Sequence, residues 1–389
     1  MAVRRDLAAA LLVVLLAIPY HAGTLTDLRA NALELTPADE DLMSAPPRWE
    51  NGTILIESPM RRYPSTRIYL IIRSWYVYTP DTVSYLEATE MVCSGRFDWH
   101  HYRVPFILFP LTVAPLYCPT RSLNAMVAIN LALMAGTFFL VWRILGRLGL
   151  GRPARTAVLG WMVLSPLPLR GFTLMSESVN LFFYFLVLDR FIAYEAEGAR
   201  HRQGLIVAAS LFLLGRPTNV ILYLSLFLFR TLRSRPFDVR LLWPILVLLP
   251  VLPAVTTNIE HAKSLDLMYR GCEGYLPCFA RHFHRGLAEV GASSAVEQFL
   301  PATVAQTMYI TGLPALLVLA IIVVRQGLRQ AFLTGPLALL AFQLAAVVLY
   351  MPLAGHYIGY RHVIFGTPLL MGLIAGLVSP PSPDDRDQQ

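Results

Sequence analysis

The sequence predicts an all-α polytopic membrane protein with about ten or eleven membrane segments, a single membrane domain over 1–378 and a long first extracytoplasmic loop. Three observations predict it. Apolar residues make up 56% of the 389 residues and charged residues only 15%, with a mean hydropathy of +0.53, which excludes an ordinary soluble enzyme. Apolar runs near span length recur along the whole chain. The net charge of +7 is carried by arginines in short connectors between those runs, which fits the positive-inside rule and not a nucleic-acid surface. Lys263 is the single lysine among the 32 basic residues, the usage of a GC-rich genome, which points to a bacterial cell membrane.

Taken in order, the apolar runs are 6–22, 122–143, 154–172, 176–194, 203–215, 217–230, 239–257, 306–324, 330–351 and 358–378. A full span needs about 20 residues, so the shorter runs are expected to tilt, to span partially or to be shielded by protein. The first run follows Arg4 and Arg5 and resembles a signal peptide; the spans that follow it favour an uncleaved anchor with a cytoplasmic N-terminus. The connector 143–155 holds Arg143, Arg147, Arg152 and Arg155 without an acid. Arg230, Arg233, Arg235 and Arg240 occupy 230–240, and Arg325 and Arg329 occupy another connector. Placing all of these inside requires the short run 104–118 to dip into the membrane and return. If it crosses instead, the four-arginine connector lies outside.

The hairpin 203–230 turns at Gly215-Arg216-Pro217-Thr218-Asn219, because proline lacks a donor and disfavours helix in the residue before it. The outer face then collects the first loop 23–103, the Ser165–Glu177 turn, the Arg216 turn, a second loop at 258–305 and His356–His362. In the first loop, Thr53–Glu57 and Arg67–Arg73 read as strands and are expected to pair as a ribbon. Residues 258–305 are expected to form short helices, and the tail 379–389 is polar and proline-rich, as disordered segments are. Of four cysteines, Cys272 and Cys278 share one polar loop; they form a small disulfide if it faces an oxidising compartment, or stay free thiols.

The polar residues that can carry chemistry gather on the predicted outer face. Asp81, after Pro80, reads either as a helix N-cap or as a general base. Glu87 and Glu90 share a helical side with each other and read as surface or helper groups. His101 and Arg103 precede Val104-Pro105 and either anchor at headgroup depth or bind phosphate oxygens. Glu177 opens a helix, where it suits the helix dipole, but it also stands at the edge of the hydrocarbon, where ionisable groups are costly and usually paired or functional. Arg361 and His362 enter the last span, either snorkelling or contributing to a site. Asp189-Arg190, at the far end of that Glu177 span, reads as a cytoplasmic boundary.

Four pieces in order carry a resemblance. Asp81-Thr-Val-Ser-Tyr85-Leu86 lies in the first loop. An aromatic and histidine segment runs from His100 to Leu116. Ser165 to Glu177 is followed by Arg216-Pro217-Thr218. Tyr360-Arg361-His362 opens a last span containing Pro368. Together they resemble the GT-C superfamily of integral membrane glycosyltransferases, and within it bacterial mannosyltransferase-like proteins and, more distantly, GPI mannosyltransferase 2. The chain departs from the protein O-mannosyltransferase and aminoarabinose-transferase pattern, since Asp81 is followed by Thr82 and not by an acid.

The resemblance implies transfer of mannose or a similar hexose or pentose. The donor would be a polyprenyl-phosphate sugar and the acceptor a hydroxyl of a lipid, glycan or protein outside the cytoplasm, with inversion. It implies Asp81 as base, Glu177 as second acid or support, and His101, Arg103, Arg216, Arg361 and His362 as ligands of the donor phosphate. No cofactor and no metal site are expected beyond that lipid donor, and no P-loop glycine motif is present. Membrane lipids are expected partners and nucleic acid is not. Two rival readings place other chemistry on the same framework. One is a polysaccharide polymerase or ligase using Arg281, His282, His284 and Arg285; the other is a lipid or glycan transporter.

Overall fold

The computed structural model describes residues 48–50, 53–55, 69–71, 76–78, 80–96, 106–165, 167–172, 174, 176–216, 218–235, 238–253, 313–350 and 365–378. These residues are overwhelmingly helical, as the apolar periodicity requires. The two β-like segments do not pair with each other. Thr53–Leu55 (β2) closes on Arg48–Glu50 (β1), and Tyr69–Ile71 (β3) on Tyr76–Tyr78 (β4). Both pairings are antiparallel, with Arg48 opposite Leu55 and Tyr69 opposite Tyr78. Each strand takes the partner a few residues away, because closing a short loop costs less entropy than closing a longer one.

Helix α1 spans Pro80–Ser94. Proline suits the first helical position, where its fixed φ is helical and its missing N–H has no partner to lose. Asp81 is therefore the second helical residue and not the cap. Gly95 ends the helix at φ +66, a conformation that costs a residue without Cβ nothing. Helix α2 spans Leu108–Thr120; its 13 residues reach roughly 20 Å, short of a hydrocarbon core. It packs along α1. A disulfide between Cys93 and Cys118 joins their C-terminal ends, beside an ion pair of Glu90 with Arg121. Glu90 is thus buried and paired, and not a surface group as its helical spacing alone predicts.

Helix α3, Leu123–Arg147, is long and apolar enough to cross a membrane, and among the described residues it alone meets both tests. Gly149, at φ +81, turns the chain into α4, Arg152–Leu164. The predicted run 154–172 is not one helix: α4 ends at Leu164, and Leu167–Phe172 forms a 3₁₀ turn, where Pro168 has no donor for an α-helical ladder. Helix α5 spans Glu177–Glu197, α6 Arg202–Gly215 and α7 Asn219–Leu232, which gives the hairpin the sequence predicts around Arg216.

The next run departs from an α-helix. Val239–Val251 is 3₁₀ throughout, because Pro244 and Pro250 withhold donors from an i→i−4 ladder. Helix α8 is Leu313–Gln326. A π-turn over Gln330–Thr334 then meets Gly335-Pro336, so α9 begins only at Ala338 and runs to Tyr350. Helix α10 is Gly366–Val378.

The core forms where α3 and α5 pack side by side in parallel. A Cβ at Gly136 would meet the Phe182 ring, and nearer the C-terminal ends Arg143 reaches Asp189. Helix α4 runs back between them in the chain. One chain of buried polar side chains crosses this core, each satisfying the next as burial favours. The Tyr184 hydroxyl donates to Gln343 Oε1 at 3.1 Å, and Gln343 Nε2 donates to Ser225 Oγ at 2.8 Å, tying α5, α9 and α7 together. Phe365, just before α10, packs on the rings of Tyr184 and Phe212.

Candidate functional site

Three of the sequence segments singled out above meet at one point. The Tyr85 hydroxyl, on α1, lies 2.8 Å from Ser176 Oγ, the residue before α5. The α1 backbone sets Asp81 one turn before Tyr85, so the two positions share a helix side. The Tyr85 ring is fixed edge-on by Phe109 at 5.1 Å and Phe106 at 6.5 Å, geometries that aromatic quadrupoles favour. Arg216, in extended conformation between α6 and α7, donates from Nη2 to the same Ser176 Oγ at 3.4 Å.

Glu177 is the charged centre of this cluster. It is 1% exposed and Arg216 is 6% exposed. Arg216 Nη2 stands 3.8 Å from Glu177 Oε1, close enough for Coulomb attraction but too far for a hydrogen bond. Neither Glu177 oxygen accepts a hydrogen bond among the described residues. Burying a charge this way is costly unless opposite charge and aligned donors offset it. Arg216 supplies the first, and the position of Glu177 in the first turn of α5 supplies a favourable helix dipole.

The Arg216 turn is braced from below. Asn180 Nδ2 donates to Ser176 O at 2.9 Å. Asn219 Nδ2 donates to Asn180 Oδ1 at 3.1 Å and to Phe212 O at 2.7 Å. A Cβ on Gly215 would overlap the Asn180 amide oxygen, so glycine is what allows α6 to end this close to α5. Sequence reasoning did not single out Asn180, Asn219 or Ser176 as partners. The available signal was polarity: Asn180 and Asn219 are asparagines in otherwise apolar helices, where an unpaired amide is costly.

Glu177 and Arg216 are therefore brought together, and the backbone of Asp81 lies one turn from Tyr85, which touches their neighbour Ser176. His101, Arg103, Arg361 and His362 lie outside the described residues, as do Trp99, the rival site at 281–285, Cys272 and Cys278, the N-terminal run, the 258–305 loop and the tail. Phe365, three residues after His362, packs on Tyr184, two turns below Glu177. Among the described residues no group of three or more His, Cys, Asp or Glu side chains gathers in a way that could hold a metal ion.

At the opposite end of α5, Asp189 is fully buried and holds three arginines. Arg143 Nη2 approaches Oδ2 at 3.0 Å, Arg147 Nη1 approaches Oδ1 at 3.1 Å and Arg190 Nε approaches Oδ2 at 4.0 Å. Asp189, read from the sequence as a cytoplasmic boundary, is thus a joint between α3 and α5. No protein-family model, curated protein or solved structure matches the chain.

Proposed function

We propose that the chain is a polytopic membrane glycosyltransferase. It moves a sugar from a polyprenyl-phosphate donor to a hydroxyl of a lipid, glycan or protein acceptor on the extracytoplasmic face. The observation that carries this reading is the meeting of Tyr85, Ser176-Glu177 and Arg216. These residues come from two of the four pieces on which the superfamily resemblance rests, and Tyr85, the Ser176-Glu177 pair and Arg216 are 39 or more positions apart in the sequence.

The orientation has independent support. Helix α3 is roughly 37 Å long, enough for a hydrocarbon core of about 30 Å. The Cys93–Cys118 disulfide adjoins its first turn, and disulfides persist in oxidising compartments. Arg143 and Arg147 mark its other end, and arginines favour the cytoplasm. Both signals support the same face as the outer one in this reading, and Ser176 and Glu177 lie at that end of α5, which runs parallel to α3, with Arg216 beside them. The shorter apolar helices, such as Asn219–Leu232 and Gly366–Val378, complete the membrane domain in this reading.

In the proposed reaction the acceptor oxygen attacks the sugar C1, and the bond from C1 to the phosphate oxygen breaks with its electron pair leaving on the lipid phosphate. Asp81 takes the hydroxyl proton. Displacement of this kind inverts the anomeric centre. Cations aimed at the departing phosphate stabilise the charge that develops there. Arg103, His101, Arg361 and His362 are the candidates for that role with Arg216, whose guanidinium Glu177 and Ser176 hold in place.

The test is sugar transfer from a synthetic polyprenyl-phosphate mannose, with glucose and arabinose donors in parallel, by wild type and Asp81→Asn. Wild type is expected to transfer or hydrolyse one donor, and Asp81→Asn to lose at least about a hundredfold, the low end for a missing general base. Near-normal turnover by Asp81→Asn removes it from the base role. Donor binding without turnover by wild type points to a missing acceptor.

A further inference from the structure

The carboxylate of Asp189 is one negative charge beneath three guanidinium groups. Its burial is complete, whereas Arg143, Arg147 and Arg190 keep 30, 32 and 37% of their side-chain surface. Each arginine presents five N–H donors in a rigid fork. Asp189 offers two carboxylate oxygens, and its backbone carbonyl accepts one more bond from Arg147 at 2.7 Å. Most of the fifteen or so donors therefore remain for something else. Glu197, two turns further along α5, is a nearby acid among the described residues, and His201 Nε2 already engages it at 2.7 Å. The excess charge is thus positive.

The surroundings hold the arginines in place. Arg143 lies over the Phe139 ring at 5.8 Å. The Arg190 stem runs against Gly204 of α6, where a Cβ would be in ordinary contact at 3.6 Å. Beside the cluster, Arg155 stacks on Trp142 at 4.6 Å. Above it, α4 leaves Ala157, Gly160, Trp161 and Leu164 exposed along one side, an apolar strip starting from the same end of the molecule.

We propose that Arg143, Arg147 and Arg190, arranged by buried Asp189, form a binding site for a phosphate oxyanion, supplied by the headgroup of an anionic phospholipid of the cytoplasmic leaflet. The proposal rests on the membrane reading above and is independent of the chemistry at Glu177. Guanidinium forks match phosphate oxygens in pairs. A basic pocket between helices at the cytoplasmic boundary is where anionic headgroups bind. Asp189 holds the guanidinium groups from the buried side, and their part-exposed side chains are left to the ligand. The exposed side of α4 receives the acyl chains.

The experiment uses the full-length protein reconstituted in phosphatidylcholine nanodiscs doped with phosphatidylglycerol, followed by native mass spectrometry of retained lipid. Inorganic phosphate serves as a competitor, and flotation with neutral liposomes tests membrane insertion. Arg190 has the longest contact to Asp189, so Arg190→Gln disturbs the fold least. Wild type is expected to retain phosphatidylglycerol over phosphatidylcholine, Arg190→Gln to lose about fivefold of that preference, and Arg190→Lys to keep most of it. Arg143→Gln is expected to lose it as well. Phosphate that displaces the lipid from wild type but not from Arg190→Gln assigns the headgroup phosphate to the pocket. Phosphate bound without lipid preference overturns the lipid source. Lipid retention that is the same in wild type and both glutamine variants overturns the site. Failure of wild type to float overturns the membrane reading together with it.

Discussion

Glu177 and Arg216 state the problem of the molecule in two side chains. Each is buried, neither is close enough to hydrogen-bond the other, and the attraction across 3.8 Å works against the desolvation of both. Removing one partner strands the other. Glu177→Ala is therefore expected to cost roughly 3–5 kcal/mol of stability, and Arg216→Met a similar amount. The double variant is expected to cost less than the sum, by roughly 0.5–3 kcal/mol. A double-mutant cycle of thermal or denaturant unfolding in detergent checks this, and strict additivity removes the coupling. The sequence marks both residues as out of place, because ionisable groups flanked by apolar runs need an explanation. It does not pair them: 39 residues separate them, and only the reversal at Gly198–His201 brings the end of α6 back to the start of α5.

At the scale of elements, the α1–α2 pair carries the first-loop acid; a buried apolar cluster packs the two helices together, and one disulfide and one ion pair join them at the end away from Tyr85. The disulfide closes a loop whose ends are 25 residues apart, for which loop-closure entropy gives roughly 3 kcal/mol. Cys93→Ser is expected to lower the melting temperature, and a reducing agent to do the same to wild type while leaving Cys93→Ser unchanged. Equal response of both proteins to the reductant rules this bond out as the cause. Helices such as α1, α3 and α5 are legible from apolar spacing and from proline and glycine at their ends. The cysteine pairing is not, since four cysteines allow three connectivities and loop proximity drew attention to Cys272 and Cys278. The 3₁₀ course of Val239–Val251 was legible only as a weakness, two prolines in an apolar run, and not as a different helix.

For the whole molecule, the proposed membrane reading takes one orientation from the disulfide at one end of α3 and the arginines at the other. A membrane-impermeant maleimide applied to intact cells after mild reduction is expected to label Cys93 and Cys118. A cysteine substituted for Arg152, in the α3–α4 connector, is expected to label only after the membrane is opened. The reverse pattern inverts the molecule and moves the Glu177 cluster to the cytoplasm.

What the sequence determined by itself is what depends on neighbours in the chain. Apolar runs set the helical class, Gly and Pro set the turns, and arginine-rich connectors set the charge asymmetry, because each is a property of contiguous sequence. The tertiary structure alone decided that Cys93 joins Cys118, that Glu90 is buried against Arg121, that Tyr85 and Arg216 share Ser176, and that Asp189 gathers Arg143 and Arg147 from another helix. Those outcomes are set by packing between segments tens of residues apart. There the free energy of burying a polar group depends on which partner arrives, and no local pattern encodes that.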